Sequence, residues 1–268
     1  MSQPVIHFAH ANGFPTGTYA CLLEPLRSQF RIIGRPCFAH HPAYPVDHNW
    51  QSLVDELLAS IEQQASQSPV IGLGHSLGGV LTYMAALKRP DLFTRIILLD
   101  PPLLTGLDSL GLKLAKRFGW IDRVTPAGIT RGRRNHWPDR QAAVADFQSK
   151  KLFRNFDPRA LEDYVTHGTT PDPQGGLRLA FDPGIEVAIF RNLADNLSGS
   201  HRRLQRRVDL IRGTQSDLIT VARMKKFEQM GIICHQVPGG HMFPLENPHA
   251  TRQCLMQLLS GDLLTDKT

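Results

Sequence analysis

The stretch Pro69-Val70-Ile71-Gly72-Leu73-Gly74-His75-Ser76-Leu77-Gly78-Gly79-Val80-Leu81 decides how this chain is read. An apolar run, 69–73, leads into Gly-x-Ser-x-Gly, and a second apolar run, 79–87, follows. The first run has the length and composition of a buried strand, and the second continues as a helix. A strand that turns sharply into a helix at a serine forms a nucleophile elbow, with a strained serine backbone and an exposed Oγ. Side chains two residues before and after that serine would collide with the neighbouring strand and helix. Gly74 and Gly78 avoid the collision because they carry only hydrogen there. His75, inside the turn, is predicted to point away from the serine and to pack.

Outward from the elbow, short apolar runs alternate with helical patterns, the signature of a parallel sheet with helices on both faces. Strands are predicted at 4–9, 30–34, 69–74, 94–100, 207–213 and 232–237, and helices at 50–66, 77–88, 218–230 and 245–259. Ile96-Ile97-Leu98-Leu99 is continuously apolar, as expected of a strand buried on both faces. Residues 101–206 break the rhythm with Pro101-Pro102, a Gly/Pro-rich tract at 168–176, and amphipathic stretches at 141–153 and 186–197. They read as a mostly helical insertion between two strands of one sheet. The core is then 1–100 together with 207–268.

A length of 268 residues accommodates one large α/β domain with such an insertion. A charged fraction of 20% and a hydrophobic fraction of 41% place the chain among ordinary globular proteins. Met1-Ser2-Gln3-Pro4 lacks the basic start of a signal peptide. The longest uncharged stretch, Gln63 to Leu87, holds Pro69, His75 and several glycines, and reads as the elbow rather than a membrane span. Cys21, Cys37, Cys234 and Cys254 show no close paired spacing, so reduced thiols and a cytoplasmic location are expected. Charge is uneven: residues 101–207 carry 18 Lys/Arg against 11 Asp/Glu, whereas the remainder carries 12 against 13. The excess reads either as a basic lid that attracts anionic substrates or an acidic surface, or as solvated helix faces. Arg131-Gly132-Arg133-Arg134 and Arg202-Arg203-Leu204-Gln205-Arg206-Arg207 lie in no nucleic-acid motif, so no nucleic-acid partner is expected.

Along essentially its whole length the chain resembles an α/β-hydrolase with a helical cap, with 101–206 as the cap. The resemblance implies a mostly parallel, doubly wound sheet of about six strands. The family's first two strands are expected to have no counterpart, because the strand leading to the oxyanion loop is predicted to begin near residue 4. Strand 30–34 is then expected at or near an edge, which a second copy of the chain could cover in a homodimer.

The family's catalytic order of serine, acid and histidine assigns Ser76, Asp217 and His241. His241 follows the last strand in Gly239-Gly240-His241-Met242-Phe243-Pro244-Leu245-Glu246, and Asp217 follows a strand and a glycine in Gly213-Thr214-Gln215-Ser216-Asp217. Asp217 could instead cap the helix that follows it. Asp100, at the end of strand 94–100, is the rival acid, because some hydrolases of this fold place it there. The resemblance assigns the oxyanion donors to the backbone N–H groups of Leu77 and Phe14, the latter by aligning Gly13-Phe14 with the family's His-Gly-apolar pattern. Here Asn12 replaces the family's histidine, and His10 stands two residues earlier. His40-His41 and His48 lie in a proline-bearing loop without a spaced partner set, and neither metal nor cofactor is expected.

The implied activity is hydrolysis of a carboxylic ester or thioester of a small molecule through an acyl-enzyme. The same triad in this fold can cleave activated carbon–carbon bonds or support cofactor-free haloperoxidation. A ligand-binding protein that retains the triad is the reading from a different class.

Overall fold

The structure is a computed structural model that describes residues 3–66 and 68–265, with side chains as far as residue 260. Met1 and Ser2, part of the segment read for a leader, lie outside the described residues. In chain order the strands are β1 (Val5–Ala9), β2 (Arg31–Ile33), β3 (Val70–His75), β4 (Phe93–Leu99), β5 (His136–Trp137), β6 (Thr169–Pro171), β7 (Leu177–Leu179), β8 (Arg207–Gly213) and β9 (Ile233–Val237). Six of them form one sheet in the order β2-β1-β3-β4-β8-β9, and every pairing in it is parallel. This is the doubly wound parallel sheet expected, with β2 at one edge.

Period-two alternation divides the apolar residues of each strand between two cores. Ile97 and Leu99 of β4 join Phe8, Leu73 and Ile211 on one face, packed against the C-terminal helix through Leu255 and Leu259. Ile96 and Leu98 join Ala9, Val70 and Leu210 on the other, packed against Leu57, Val80 and Leu81 of the helices Gln51–Gln64 and Leu77–Lys88. A strand buried on both faces has no polar side, which is why β4 reads as an unbroken apolar run.

Element boundaries differ from expectation where local chemistry intervenes. The helix expected at 218–230 is Val221–Gln229, because the Thr220 side chain accepts from the Arg223 N–H at 3.3 Å and caps it. Pro248 starts the last helix, Pro248–Thr265, after a separate turn at Phe243–Glu246. The insertion between β4 and β8 is helical, with its longer helices at Leu107–Arg117, Arg140–Ser149, Pro158–Gly168 and Pro183–Arg191. It also contains a small antiparallel sheet, β5-β7-β6, which was not expected. Among the described residues no helix is long and apolar enough to cross a membrane, and all four cysteines are free thiols.

Candidate active site

Strand β1 is flanked by β2 on one side and β3 on the other, so the winding reverses between β1 and β3. In open α/β sheets the crevice beyond the carboxyl ends of the strands at such a reversal holds the ligand. The loop 10–14 leaves β1 there, and Ser76 follows β3. The Ser76 backbone sits at φ 52° and ψ −115°, a left-handed geometry that costs free energy for a residue with a Cβ. A Cβ on Gly74 would come within 2.2 Å of the Gly78 carbonyl oxygen, and one on Gly78 within 2.0 Å of the Ala9 carbonyl oxygen. These contacts explain both glycines of the motif. The Ser76 N–H donates to the Leu99 carbonyl at 2.9 Å and the Gly78 N–H to that of His10 at 3.1 Å, which ties the turn to both neighbouring strands.

His241 Nε2 lies 3.0 Å from Ser76 Oγ, and its Nδ1 lies 2.7 Å from Asp100 Oδ2. Asp100 is fully buried and directly follows β4 at φ 43°; its N–H donates to the Ile211 carbonyl at 2.8 Å. The structure therefore brings together Ser76, His241 and Asp100. The expectation that Asp217 orients His241 is not met by this geometry. Asp217 is exposed, and among the described residues no hydrogen bond or ion pair joins it to His241. The turn after β8 is held by the histidine loop, with the Thr214 and Gln215 N–H groups donating to the Val237 and Gly239 carbonyls, each at 2.9 Å. That turn directs Ser216 inward, where its hydroxyl donates to Asp100 Oδ2 at 2.5 Å, and leaves Asp217 in solvent. Asp217 is not the helix cap either, since Thr220 fills that role.

The loop carrying His241 is fixed rather than free. Gly240 N–H donates to Glu246 Oε2 at 2.5 Å, and Gly239 takes φ 131°. His75 anchors the same loop from below. Its Nε2 lies 3.0 Å from the His241 carbonyl oxygen, and its Nδ1 lies 2.7 Å from Tyr19 Oη. A carbonyl only accepts, so Nε2 carries the proton and Nδ1 accepts from Tyr19. Burial, and then the nearby His241, hold the His75 pKa well below the usual histidine range, so the ring is neutral. Tyr19 Oη accepts in turn from the Ala11 N–H at 3.3 Å. His75 is thus a buried tie between the histidine loop and the loop after β1, a role the sequence reading reduced to packing.

Leu77 opens its helix, and its N–H has no protein acceptor among the described residues. The Phe14 N–H, in contrast, donates to the Ala11 carbonyl at 3.1 Å and closes a turn. Phe14 is anchored instead through its ring, which packs against Phe153, Phe156 and Tyr164 of the insertion. The insertion also grips the neighbouring backbone. Asn12 Nδ2 donates to the Glu186 carbonyl at 3.0 Å, and Tyr164 Oη to the Gly13 carbonyl at 3.4 Å. Arg133 donates to Glu186 Oε2 at 2.6 Å and to Tyr164 Oη at 3.1 Å. A Cβ on Gly13 would meet Glu186 Oε1 at 2.9 Å, so that close approach, with φ 80°, requires glycine. Arg133, one of the basic run Arg131-Gly132-Arg133-Arg134, is a half-buried ion-pair partner. His40 is likewise used locally, bonding the Phe38 carbonyl and the Asp182 N–H through its two ring nitrogens.

The alpha/beta hydrolase family profile matches residues 8–253, and the chain belongs to that family. Among curated relatives, the type I acyl-CoA thioesterase mpaH' of Penicillium brevicompactum is 32% identical over 124 residues, which is 46% of this chain and 27% of the relative. The type I acyl-CoA thioesterase mpaH of Penicillium roqueforti (strain FM164) is 31% identical over 169 residues, 58% of this chain and 37% of the relative. The matched part is thus well under half the length of either relative. Solved structures share the fold across nearly the whole chain. E-2-(acetamidomethylene)succinate hydrolase superposes with a TM-score of 0.79 at 21% identity, covering 97% of this chain and 92% of that one. The thioesterase domain from the curacin biosynthetic pathway superposes at 0.73 and 17% identity, covering 95% and 92%.

Proposed function

We propose that the protein hydrolyses a carboxylic ester or thioester by acyl transfer to Ser76. The observation that carries this reading is the unbroken line Ser76 Oγ–His241 Nε2, His241 Nδ1–Asp100 Oδ2, at 3.0 and 2.7 Å. A serine hydroxyl is a weak nucleophile until a base takes its proton, and an imidazole is an efficient base only when its tautomer is fixed. Nδ1–H of His241 donates to Asp100 Oδ2 and keeps its proton, which leaves Nε2 free to accept from Ser76. The Ser216 hydroxyl on the same carboxylate oxygen helps hold it in line. Ser76 Oγ then attacks the carbonyl carbon and its proton passes to Nε2. The tetrahedral intermediate collapses as Nε2 returns that proton to the leaving alcohol or thiol, and water repeats the sequence to release the acid. In this account Asp100 holds the role first expected of Asp217.

The developing oxyanion needs N–H donors that nothing else has claimed. Leu77 meets that condition. In the loop after β1, Ala11 and Phe14 already donate within the protein, so the second donor passes to the Asn12 or Gly13 N–H in Phe14's place. The insertion, gripping this loop through Glu186 and Tyr164, acts as a cap that shapes the acyl pocket. The thioester arm draws support from the relatives named as acyl-CoA thioesterases. A panel of p-nitrophenyl esters of increasing chain length, run beside acyl-CoA thioesters, tests the reading, together with a phosphonate that labels active serines. Turnover of one class with labelling at Ser76 is the expected result. Labelling without turnover of any acyl substrate would overturn it in favour of a binding protein.

A further inference from the structure

We propose that the first part of the insertion, residues 107–134, is a docking face for an anionic lipid surface. Among the described residues, seven of the ten exposed large apolar side chains fall in this one segment: Leu107, Leu110, Leu114, Phe118, Trp120, Val124 and Ile129, at 45% to 85% exposure. The helix Leu107–Arg117 explains part of the pattern. Ser109, Leu112 and Ala115 occupy its buried face. Leu107, Leu110 and Leu114, with Phe118 just beyond the end, recur at i, i+3, i+7 and i+11 and form a second apolar stripe. A soluble surface helix needs one apolar face, and this one has two. Phe118 and Trp120 extend the outer stripe as a ring pair with centroids 5.4 Å apart.

Charge names the occupant. The segment carries seven Lys/Arg against two Asp. Lys116 and Arg133 are held in ion pairs with Asp195 and Glu186 inside the insertion. Lys113, Arg117 and Arg123 are exposed and have no acidic partner among the described residues. Lys113 and Arg117 lie beside the apolar stripe on the same helix. Leu, Phe and Trp flanked by free Lys and Arg form the composition of a helix that lies in a membrane interface. A second copy of the chain fits poorly, because a twofold contact through this face would oppose like charges. An acidic protein would answer the charge but not the long outer stripe of Leu, Phe and Trp, which has the composition of the inserted face of an interfacial helix.

The test uses the full-length protein and no substrate, so its outcome is separate from that of the catalytic reading. Co-sedimentation is measured with vesicles of phosphatidylcholine and phosphatidylglycerol (7:3) and with phosphatidylcholine alone. Trp120 is a built-in reporter, because Trp50 and Trp137 are buried. Binding to the anionic vesicles, a blue shift of emission and weakening by salt are expected. The combined change Leu110→Ser/Leu114→Ser/Phe118→Ser should lower binding at least about tenfold by removing the inserted apolar face. Lys113→Gln/Arg117→Gln/Arg123→Gln should do the same for anionic vesicles only. All six side chains are exposed, so circular dichroism should report unchanged folding. No binding to anionic vesicles, or equal binding by the folded variants, would overturn the proposal. So would dimerisation or capture of an acidic protein through this face in the absence of vesicle binding.

Discussion

Asp100 and Asp217 lie beyond the ends of two paired strands of one sheet, and burial separates them. Asp100 is fully enclosed against His241 and Ser216, whereas Asp217 faces water one residue past Ser216. Asp100→Asn should therefore lower kcat/KM by about 10⁴, because an amide favours the wrong imidazole tautomer. Asp217→Asn should leave it within about twofold, as for an exposed charge outside the site. A dead Asp217→Asn enzyme beside an active Asp100→Asn enzyme would reverse the assignment. The approach of His241 to Ser76 was legible in sequence because glycines beside a turn report close backbone approach. Which carboxylate meets His241 was not, because both follow a strand. What turns Ser216 inward is contact with Val237 and Gly239, which no local pattern encodes.

Strands and long helices were legible wherever one element carries its own period. The six core strands fall within one or two residues of expectation because each must fill one or both buried faces of the sheet. The small sheet β5-β7-β6 was not legible, since β6 lies in and β7 beside the Gly/Pro-rich tract, and all three short strands fall within a segment whose dominant pattern is helical. The insertion helices Pro158–Gly168 and Pro183–Arg191 do carry a local signal. Each begins Asp-Pro, with the aspartate accepting from the first-turn N–H groups and proline at the first helical position. The elbow itself is the element with the least tolerance. Gly78→Ala drives a methyl against the Ala9 carbonyl of β1, where backbone must move. A loss of about 3 kcal/mol or more is expected in urea unfolding, with activity lost in the fraction that folds. A variant as stable and active as the wild type would mean that β1 and the elbow are less closely packed than described.

At the scale of the whole molecule, buried neutral histidines link stability to pH. Burial pushes His7 down to about 3 and His10 down to about 4. The unfolded chain therefore takes up protons near pH 6.5 that the folded protein refuses, and stability falls as pH drops below that value. Between pH 7 and 5 each ring costs about 2 kcal/mol. His10 shows why: its Nδ1 donates to the Ala11 carbonyl and its Nε2 accepts from the Phe38 N–H, so a proton on Nε2 would remove an acceptor. Glu56 and Glu186, raised by burial, act in the opposite sense, since the folded protein takes up their protons before the unfolded chain does. The informative quantity is thus the difference between proteins. His10→Gln should lose less unfolding free energy from pH 7 to 5 than the wild type, and equal losses would contradict the assignment.

Core and insertion meet at several places, and beside Ser76 Glu186 and Tyr164 hold the loop after β1, where acyl transfer is proposed to happen. Its most direct test is kcat/KM of Ser76→Ala against wild type on the best ester or thioester of the panel, with folding checked by circular dichroism. A loss on the order of 10⁴–10⁶ is expected, because nucleophile, base and acid act as a unit in a triad of this kind. A folded Ser76→Ala protein that kept more than about a tenth of the activity would contradict the proposal.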